Sequence, residues 1–203
     1  MDDHTREALK AVARSLATVI VTPFVWSLHV RSRFVGSDRA IEASTQALGL
    51  IPGLTGQYLR RAFLARTLAH CDQSAAIEFG TIFSDVGTSI DANVYIGPCC
   101  HIGLAHFERD VLIAAAVHVP SGRRTHGMTD PELSIHAQPG ERRRVRIGAG
   151  SWIGSGAVVM ADVGRRTVIG AGAVVTKSIP DDVVAGGVPA RVLHERPKPG
   201  DER

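Results

Sequence analysis

The feature that most constrains this chain is a six-residue apolar period in its C-terminal two thirds. Ile90, Ile96 and Ile102 lie six apart. So do Phe107, Ile113 and Val119, then Ile147, Ile153 and Val159, then Val163, Ile169 and Val175. Four residues after most of them comes a small or branched residue: Val94, Cys100, Val111, Val117, Ser151, Ala157, Thr167, Ala173. Gly, Asp or Glu directly follows many of them, and Ile77-Glu78 with Thr81 makes a weaker opening unit. A period of six is neither the 3.6 of a helix nor the 2 of an extended strand. It fits a short strand followed by a turn, repeated, with the apolar residue inward and the small one in the crowded corner. Three units close a triangular coil, and stacked coils pair their strands in parallel, which is a parallel β-helix. A narrow interior accounts for 5% aromatics beside 21 glycines, which supply turn conformations that other residues resist.

A length of 203 residues fits one main domain with an appendage. We read residues 1–74 as a helical leader, 75–193 as the solenoid with an insertion at 120–146, and 194–203 as a polar tail. With 44% hydrophobic and 21% charged residues, the chain is neither wholly disordered nor collagen-like. The formal net charge is +3, and the basic excess lies in the first 70 residues, where nine Lys/Arg face five Asp/Glu. That is too small an excess for a nucleic-acid footprint, and no nucleic-acid partner is expected. Cys71, Cys99 and Cys100 form neither a disulfide framework nor a CxxC metal pattern, which points to a reducing compartment, the cytoplasm.

In the leader, Leu9, Val12, Ala13, Leu16 and Ile20 recur at helical spacing. The apolar run from Leu16 to Val30 has no clean cleavage site and is short for a membrane span. Pro23 and His29 interrupt it. Two outcomes stand open for residues 1–35. The helix packs on the main domain or on another subunit, or Arg14, Arg31 and Arg33 meet anionic lipid heads while Phe24, Val25, Trp26 and Leu28 enter the interface. A turn is expected at Ile51–Gly56 and a second helix over Gln57–His70, with Leu59, Ala62 and Phe63 on one side and solvated Arg60 and Arg61 on the other. The repeat breaks between Pro120 and Val145. The inserted loop holds His126 and His136 and five arginines (Arg123, Arg124, Arg142, Arg143, Arg144), and a long loop on a rigid solenoid is where function concentrates.

Two blocks carry a resemblance. Ile147-Gly-Ala-Gly-Ser-Trp-Ile-Gly-Ser-Gly-Ala-Val-Val159 continues through Val168-Ile-Gly-Ala-Gly-Ala-Val-Val-Thr-Lys-Ser-Ile-Pro180 to Ala185-Gly-Gly-Val-Pro-Ala-Arg191. They resemble the signature of the hexapeptide-repeat acyltransferases, in particular the galactoside, maltose and colanic-acid-type O-acetyltransferases. The likeness covers roughly residues 75–195. It implies a left-handed parallel β-helix, a homotrimer with active sites between subunits, acetyl-CoA as co-substrate and no metal. The implied chemistry is acyl transfer to a hydroxyl, most often on a sugar. The leader is similar to those of acyltransferases of surface-polysaccharide assembly, so the implied acceptor is a saccharide or lipid-linked saccharide, and the implied location is cytoplasmic or at the inner face of a membrane.

Residue by residue, the resemblance makes His126 the general base, in a Ser121-to-His126 segment longer than the family's Ser-x-His. An imidazole with an unperturbed pKa near 6.5 suits the removal of a hydroxyl proton. Trp152 would line the acceptor or pantetheine side of the cleft, Ser155 would touch CoA near the reacting carbonyl, and the main chain at Ala171 would bind the pantetheine arm. Thr176, Lys177 and Arg191 match CoA contacts, with the cations toward its phosphates. Arg123 and Arg124 would meet a phosphorylated or lipid-linked acceptor. His118 belongs to a coil, where it either flanks the site or is structural, the latter being expected, and His136 is expected to be a surface residue. The family's acceptor-holding asparagine is replaced by Cys99 and no acid aligns, so the acceptor does not transfer, nor does the choice of acetyl over a longer acyl group. Two other readings compete. One is a zinc enzyme of the gamma carbonic anhydrase type, suggested by the spacing of His101 and His106, and the other is a non-catalytic β-helix scaffold.

Overall fold

Every residue of the series from Ile90 to Val175 points inward with no exposed surface, and the small residues four further on are at most 1% exposed. The computed structural model describes residues 3–197 and folds this series into a parallel β-helix. Its first wall stacks β1 (His70–Cys71), β4 (Ser89–Ile90), β7 (Ala105–Phe107) and β10 (Val145–Ile147). The second stacks β2 (Ala76–Ile77), β5 (Tyr95–Ile96), β8 (Leu112–Ile113), β11 (Trp152–Ile153), β13 (Val168–Ile169) and β15 (Val183–Gly186). The third stacks β3 (Ile82–Phe83), β6 (His101–Ile102), β9 (His118–Val119), β12 (Val158–Val159) and β14 (Val174–Val175). The sequence places the start of the coil at 75, but the first parallel pair is already made by His70–Cys71.

The coils are joined along the axis by main-chain bonds such as Tyr95 N–H to the Val111 carbonyl (2.9 Å) and Gly97 N–H to that of Ile113 (2.8 Å). Hydroxyls at the corner positions add ties between coils: Thr81 to the Gly97 carbonyl, Thr88 to Gly103, Ser151 to Gly164 and Thr167 to Pro180, at 2.6–2.8 Å. Where Asp162-Val163-Gly164-Arg165 shortens a coil, Val163 alone bridges Ile147 below and Ile179 above. At the C-terminal end β16 (Arg191–Glu195) folds back antiparallel on β15 and covers the open edge. The first residues of the expected tail, His194 and Glu195, are therefore strand, and residues 198–203 lie outside the described residues.

Three helices cover the other end: α1 (Asp3–Val35), α2 (Ser37–Gly49) and α3 (Gly53–Thr67). The first is unbroken through Pro23. Its stretch Glu7–Val35 is long and apolar enough to cross a membrane, by length and composition. Ala17, Val21 and Leu28 are buried in the seam against α2 and α3. Arg31 donates to Ser44 Oγ (2.6 Å) and Arg66 to Thr18 Oγ1 (3.0 Å), which fastens α1 to both neighbours.

Two expectations for α3 fail. The helix begins inside the expected turn and ends before His70, because Leu68 turns extended and Ala69 N–H bonds the Val86 carbonyl of the first coil. Arg60 is also not solvated. It is 2% exposed, and donates to the carbonyls of Ile77 (2.9 Å), Leu48 (3.2 Å) and Ile51 (2.7 Å). These include carbonyls that the end of α2 leaves without helical partners. Burial lowers the Arg60 pKa, against the opposing pull of Glu78. Arg61 lies over the Tyr58 ring at 4.7 Å.

Candidate active site

The third wall carries an outward column read from strand register: Ile82, His101, His118, Val158, Val174. His101 and His118 face outward because their successors Ile102 and Val119 fill the interior, and neighbours on a strand alternate sides. Their rings meet edge to face with centroids 6.1 Å apart. Glu42, on α2, brings Oε1 to 3.9 Å from His101 Nε2. One turn along, Thr45 fixes that helix to the wall. Its hydroxyl accepts from Phe83 N–H (3.1 Å) and donates to the Phe83 carbonyl (3.2 Å).

Directly after β9 the chain leaves the solenoid. Ser121 is buried, and its hydroxyl accepts from Leu104 N–H at 2.9 Å. The outgoing and returning strands of the loop are paired at its neck, Arg143 N–H to the Ser121 carbonyl (2.8 Å) and Glu141 N–H to that of Arg124 (2.6 Å). Further out, the buried Gln138 amide donates to the carbonyls of Asp130 (2.8 Å) and Leu133 (3.0 Å). The insertion is thus an organised lobe. His126 sits between neck and lobe, exposed, at the mouth of a cleft of about 700 Å³. Glu42, His101, His118 and Ser121 line the same cleft, with Val158 and Thr125.

The other sequence-derived positions are not gathered in that cleft. Trp152 is half exposed on the second wall, in register with Leu112 and Val168. Ser155 and Ala171 occupy one corner in successive coils, joined by Gly172 N–H to the Ser155 carbonyl (2.8 Å). Gly156 and Gly172 beside them have φ of +69° and +67°, and a Cβ at either would meet nothing within 4 Å, so this corner is open to solvent. Thr176 and Lys177 follow β14 at the opposite edge of the third wall. Arg191 is exposed and pairs with Gly186 in register. Arg123 and Arg124 line a separate depression of about 240 Å³ with Glu141, Arg143 and Met160. The remaining loop arginines are engaged by the protein itself. Arg142 bonds Asp38 (2.5 Å) and Asp85, Arg143 bonds Asp162 (2.6 Å), and Arg144 donates to the Gly87 carbonyl (3.0 Å).

The spacing of His101 and His106 does not bring them together. They belong to different walls, and His106 pairs with Asp91 at 3.2 Å. His118 takes the flanking place, in the lining of the cleft. Glu42 and Gly140, whose roles depend on chain crossings far apart in sequence, escaped sequence reading. The buried thiols are poor nucleophiles. Burial pushes Cys71 up to about 12 and Cys100 up to about 11.

Comparison with known proteins places this geometry. Residues 144–177 match the model described as bacterial transferase hexapeptide (six repeats). The chain is 29% identical over 161 residues to an Escherichia coli K12 protein named "Putative lipopolysaccharide biosynthesis O-acetyl transferase WbbJ", across 69% of this chain and 82% of the relative. It is 48% identical over 121 residues to the galactoside O-acetyltransferase of Lactococcus lactis, across 57% of this chain but only 51% of that protein. Among solved structures, a maltose O-acetyltransferase from Clostridium difficile superposes with a TM-score of 0.63 at 20% identity, over 79% of this chain and 89% of that one. A galactoside acetyltransferase in complex with coenzyme A gives 0.58 at 24% identity, over 80% and 84%. These two establish likeness of fold. The repeat, the solenoid and these likenesses agree: the chain carries the transferase hexapeptide repeat and resembles the hexapeptide-repeat acyltransferases.

Proposed function

We propose that the protein transfers an acetyl group from acetyl-CoA to a hydroxyl of a saccharide or lipid-linked saccharide in polysaccharide biosynthesis, by direct transfer in a ternary complex. The observation that carries this reading is the position of His126. A loop anchored at its neck holds the imidazole at the mouth of a cleft that Glu42, His101, His118 and Ser121 also line. His126 takes the proton of the acceptor hydroxyl as its oxygen attacks the thioester carbonyl. An O–C bond forms, the C–S bond breaks, and His126 returns the proton to the departing thiolate. No acyl-enzyme is required, which agrees with the raised Cys71 and Cys100 thiols.

The donor fits the open corner at Ser155 and Ala171, where small side chains and glycines leave a pantetheine arm room to approach the backbone. Thr176, Lys177 and Arg191 supply hydroxyl and cationic partners for the phosphorylated end, and Trp152 lines the route between donor and acceptor. Arg123 and Arg124, facing their own depression, suit an anionic extension of the acceptor. The working unit in this reading is a homotrimer, cytoplasmic and held at the inner membrane face by α1.

Calorimetric titration with acetyl-CoA is the first test. Saturable binding weakened about tenfold by Lys177→Ala or Arg191→Ala is expected. His126→Ala is expected to keep that binding and lose at least about a hundredfold in turnover. Wild-type turnover in His126→Ala would refute the base assignment, and no acetyl-CoA binding by folded protein would refute the transferase reading.

A further inference from the structure

The outward positions of the third wall other than β6 and β9 are β-branched: Ile82, Val158 and Val174. Two successive rungs of that column break the rule. They carry His101 and His118, on the strands immediately below the point where the His126 loop departs. Local departures from a fold's own pattern concentrate where function overrides packing. The imidazoles add nothing to the solenoid interior and touch each other only at its surface. Both are exposed, and each faces the cleft. Glu42 adds a carboxylate to the same patch from a different element, and the double hydrogen bond of Thr45 to Phe83 keeps α2 from swinging away.

We propose that Glu42, His101 and His118 form the acceptor subsite of the His126 cleft. The carboxylate accepts, and the imidazoles donate and accept, hydrogen bonds with hydroxyls neighbouring the one that His126 deprotonates. This deepens the transferase reading and rests on it. A carboxylate and two imidazoles spaced along the solenoid axis match a polyol. Hydroxyls on adjacent ring carbons each donate one bond and accept another, and strands stack about 4.8 Å apart. Because Glu42 belongs to α2, the leader is part of the site and not only its support. The assignment also supplies the acid that no residue of the solenoid sequence aligns to.

The test uses the full-length protein with acetyl-CoA and a panel of simple acceptors: p-nitrophenyl β-D-galactopyranoside, the corresponding glucoside and maltose. Turnover is followed by thiol release with and without acceptor. Glu42→Gln, His101→Asn and His118→Asn alter exposed or half-exposed side chains, and thermal unfolding confirms that each folds. We expect each to raise the acceptor KM about tenfold or more. The acetyl-CoA KM and the acceptor-independent thioester hydrolysis stay within twofold. An unchanged acceptor KM in all three overturns the subsite. A fall in kcat with KM unchanged overturns it too, since that outcome makes the residues a relay to His126. Acetyl-CoA binding with no transfer to any of the panel counts against the saccharide reading itself, and the subsite falls with it.

Discussion

Gly140 has no functional group, yet its lack of a side chain sets where His126 lies. A Cβ at this position would sit 2.0 Å from the Thr125 carbonyl oxygen and 2.8 Å from His126 N, so the returning strand passes against the backbone of the base. Gly140→Ala must push that segment outward. We expect an unchanged melting temperature for the solenoid and at least a tenfold lower kcat, because small misplacements of a catalytic group are costly. Wild-type kcat in a folded Gly140→Ala protein would show that the lobe does not position His126. Glu108 poses a different single-residue question. Burial pushes its carboxyl up, but the Ala149 N–H (2.9 Å) and the guanidiniums of Arg146 (2.7 Å) and Arg165 (3.3 Å) outweigh it, and the pKa lies below the ordinary value. A carboxyl lowered in the folded state contributes stability above its unfolded pKa of about 4.3, and that contribution is lost as pH falls through the folded value. The stability gap between wild type and Glu108→Gln is therefore expected to be constant from neutrality to about pH 5 and to shrink below about pH 4. Urea midpoints across that range check it, and a gap that does not move would remove the charge from the argument.

At the scale of elements, α1 is the one whose surface does not suit water. Leu16, Val19, Ile20, Phe24, Trp26, Val30 and Phe34 are all exposed, Trp26 at 72% and Phe34 at 83%, and Leu16 and Ile20 border an apolar depression shared with Leu54, Tyr58 and Leu59 of α3. At 1.5 Å per residue the stretch Glu7–Val35 is about 43 Å long. Crossing a bilayer would require it to leave the seam that buries Ala17, Val21 and Leu28, and to abandon Arg31–Ser44 and Arg66–Thr18. Lying along an anionic surface costs none of these contacts. In that arrangement the apolar face would enter the interface, with the exposed Arg33 and Arg39 available to the headgroups. Co-sedimentation with phosphatidylglycerol vesicles is expected, weakened by salt and by Trp26→Ser with Phe34→Ser. A protein that stays in the supernatant at low salt would refute this placement. The same elements show what a sequence can and cannot reveal. The coils were legible because one inward residue every six is a local rule, repeated with the same phase. α2 was not, because its buried face includes Ala40, Ser44 and Thr45, whose small and polar side chains give no apolar stripe. Arg60 was misread as surface because a charge is normally outside, and only the α2–α3 crossing supplies the carbonyls that hold it. His101 and His118 lie 17 residues apart and become neighbours only through strand register.

The whole chain presents its two proposed half-sites at different places. His126, proposed as the base, and the side chains of His101 and His118 lie at the coils of β6 and β9, where Glu42 of α2 joins the cleft. The open corner of Ser155 and Ala171 lies one and two coils further toward the C-terminus and separates the second wall from the third. The outward column Tyr95, Leu112, Trp152 on the second wall is apolar and exposed, as expected of a face that another copy covers. A cyclic assembly would set the corner of one copy against the His126 cleft of the next, so that each site takes its base from one chain and its donor groove from another. Mixing two inactive variants tests this directly. His126→Ala removes the base, and Ser155→Trp fills the exposed corner without touching the core. Each variant alone is expected to be inactive. Co-expressed in equal amounts, they assemble at random, and about one site in four draws an intact base from one chain and an intact groove from its neighbour. Recovery of about a quarter of wild-type turnover is the expected result. If base and groove of each site instead came from a single chain, every site would keep one lesion or the other, and the mixture would be as inactive as its parents.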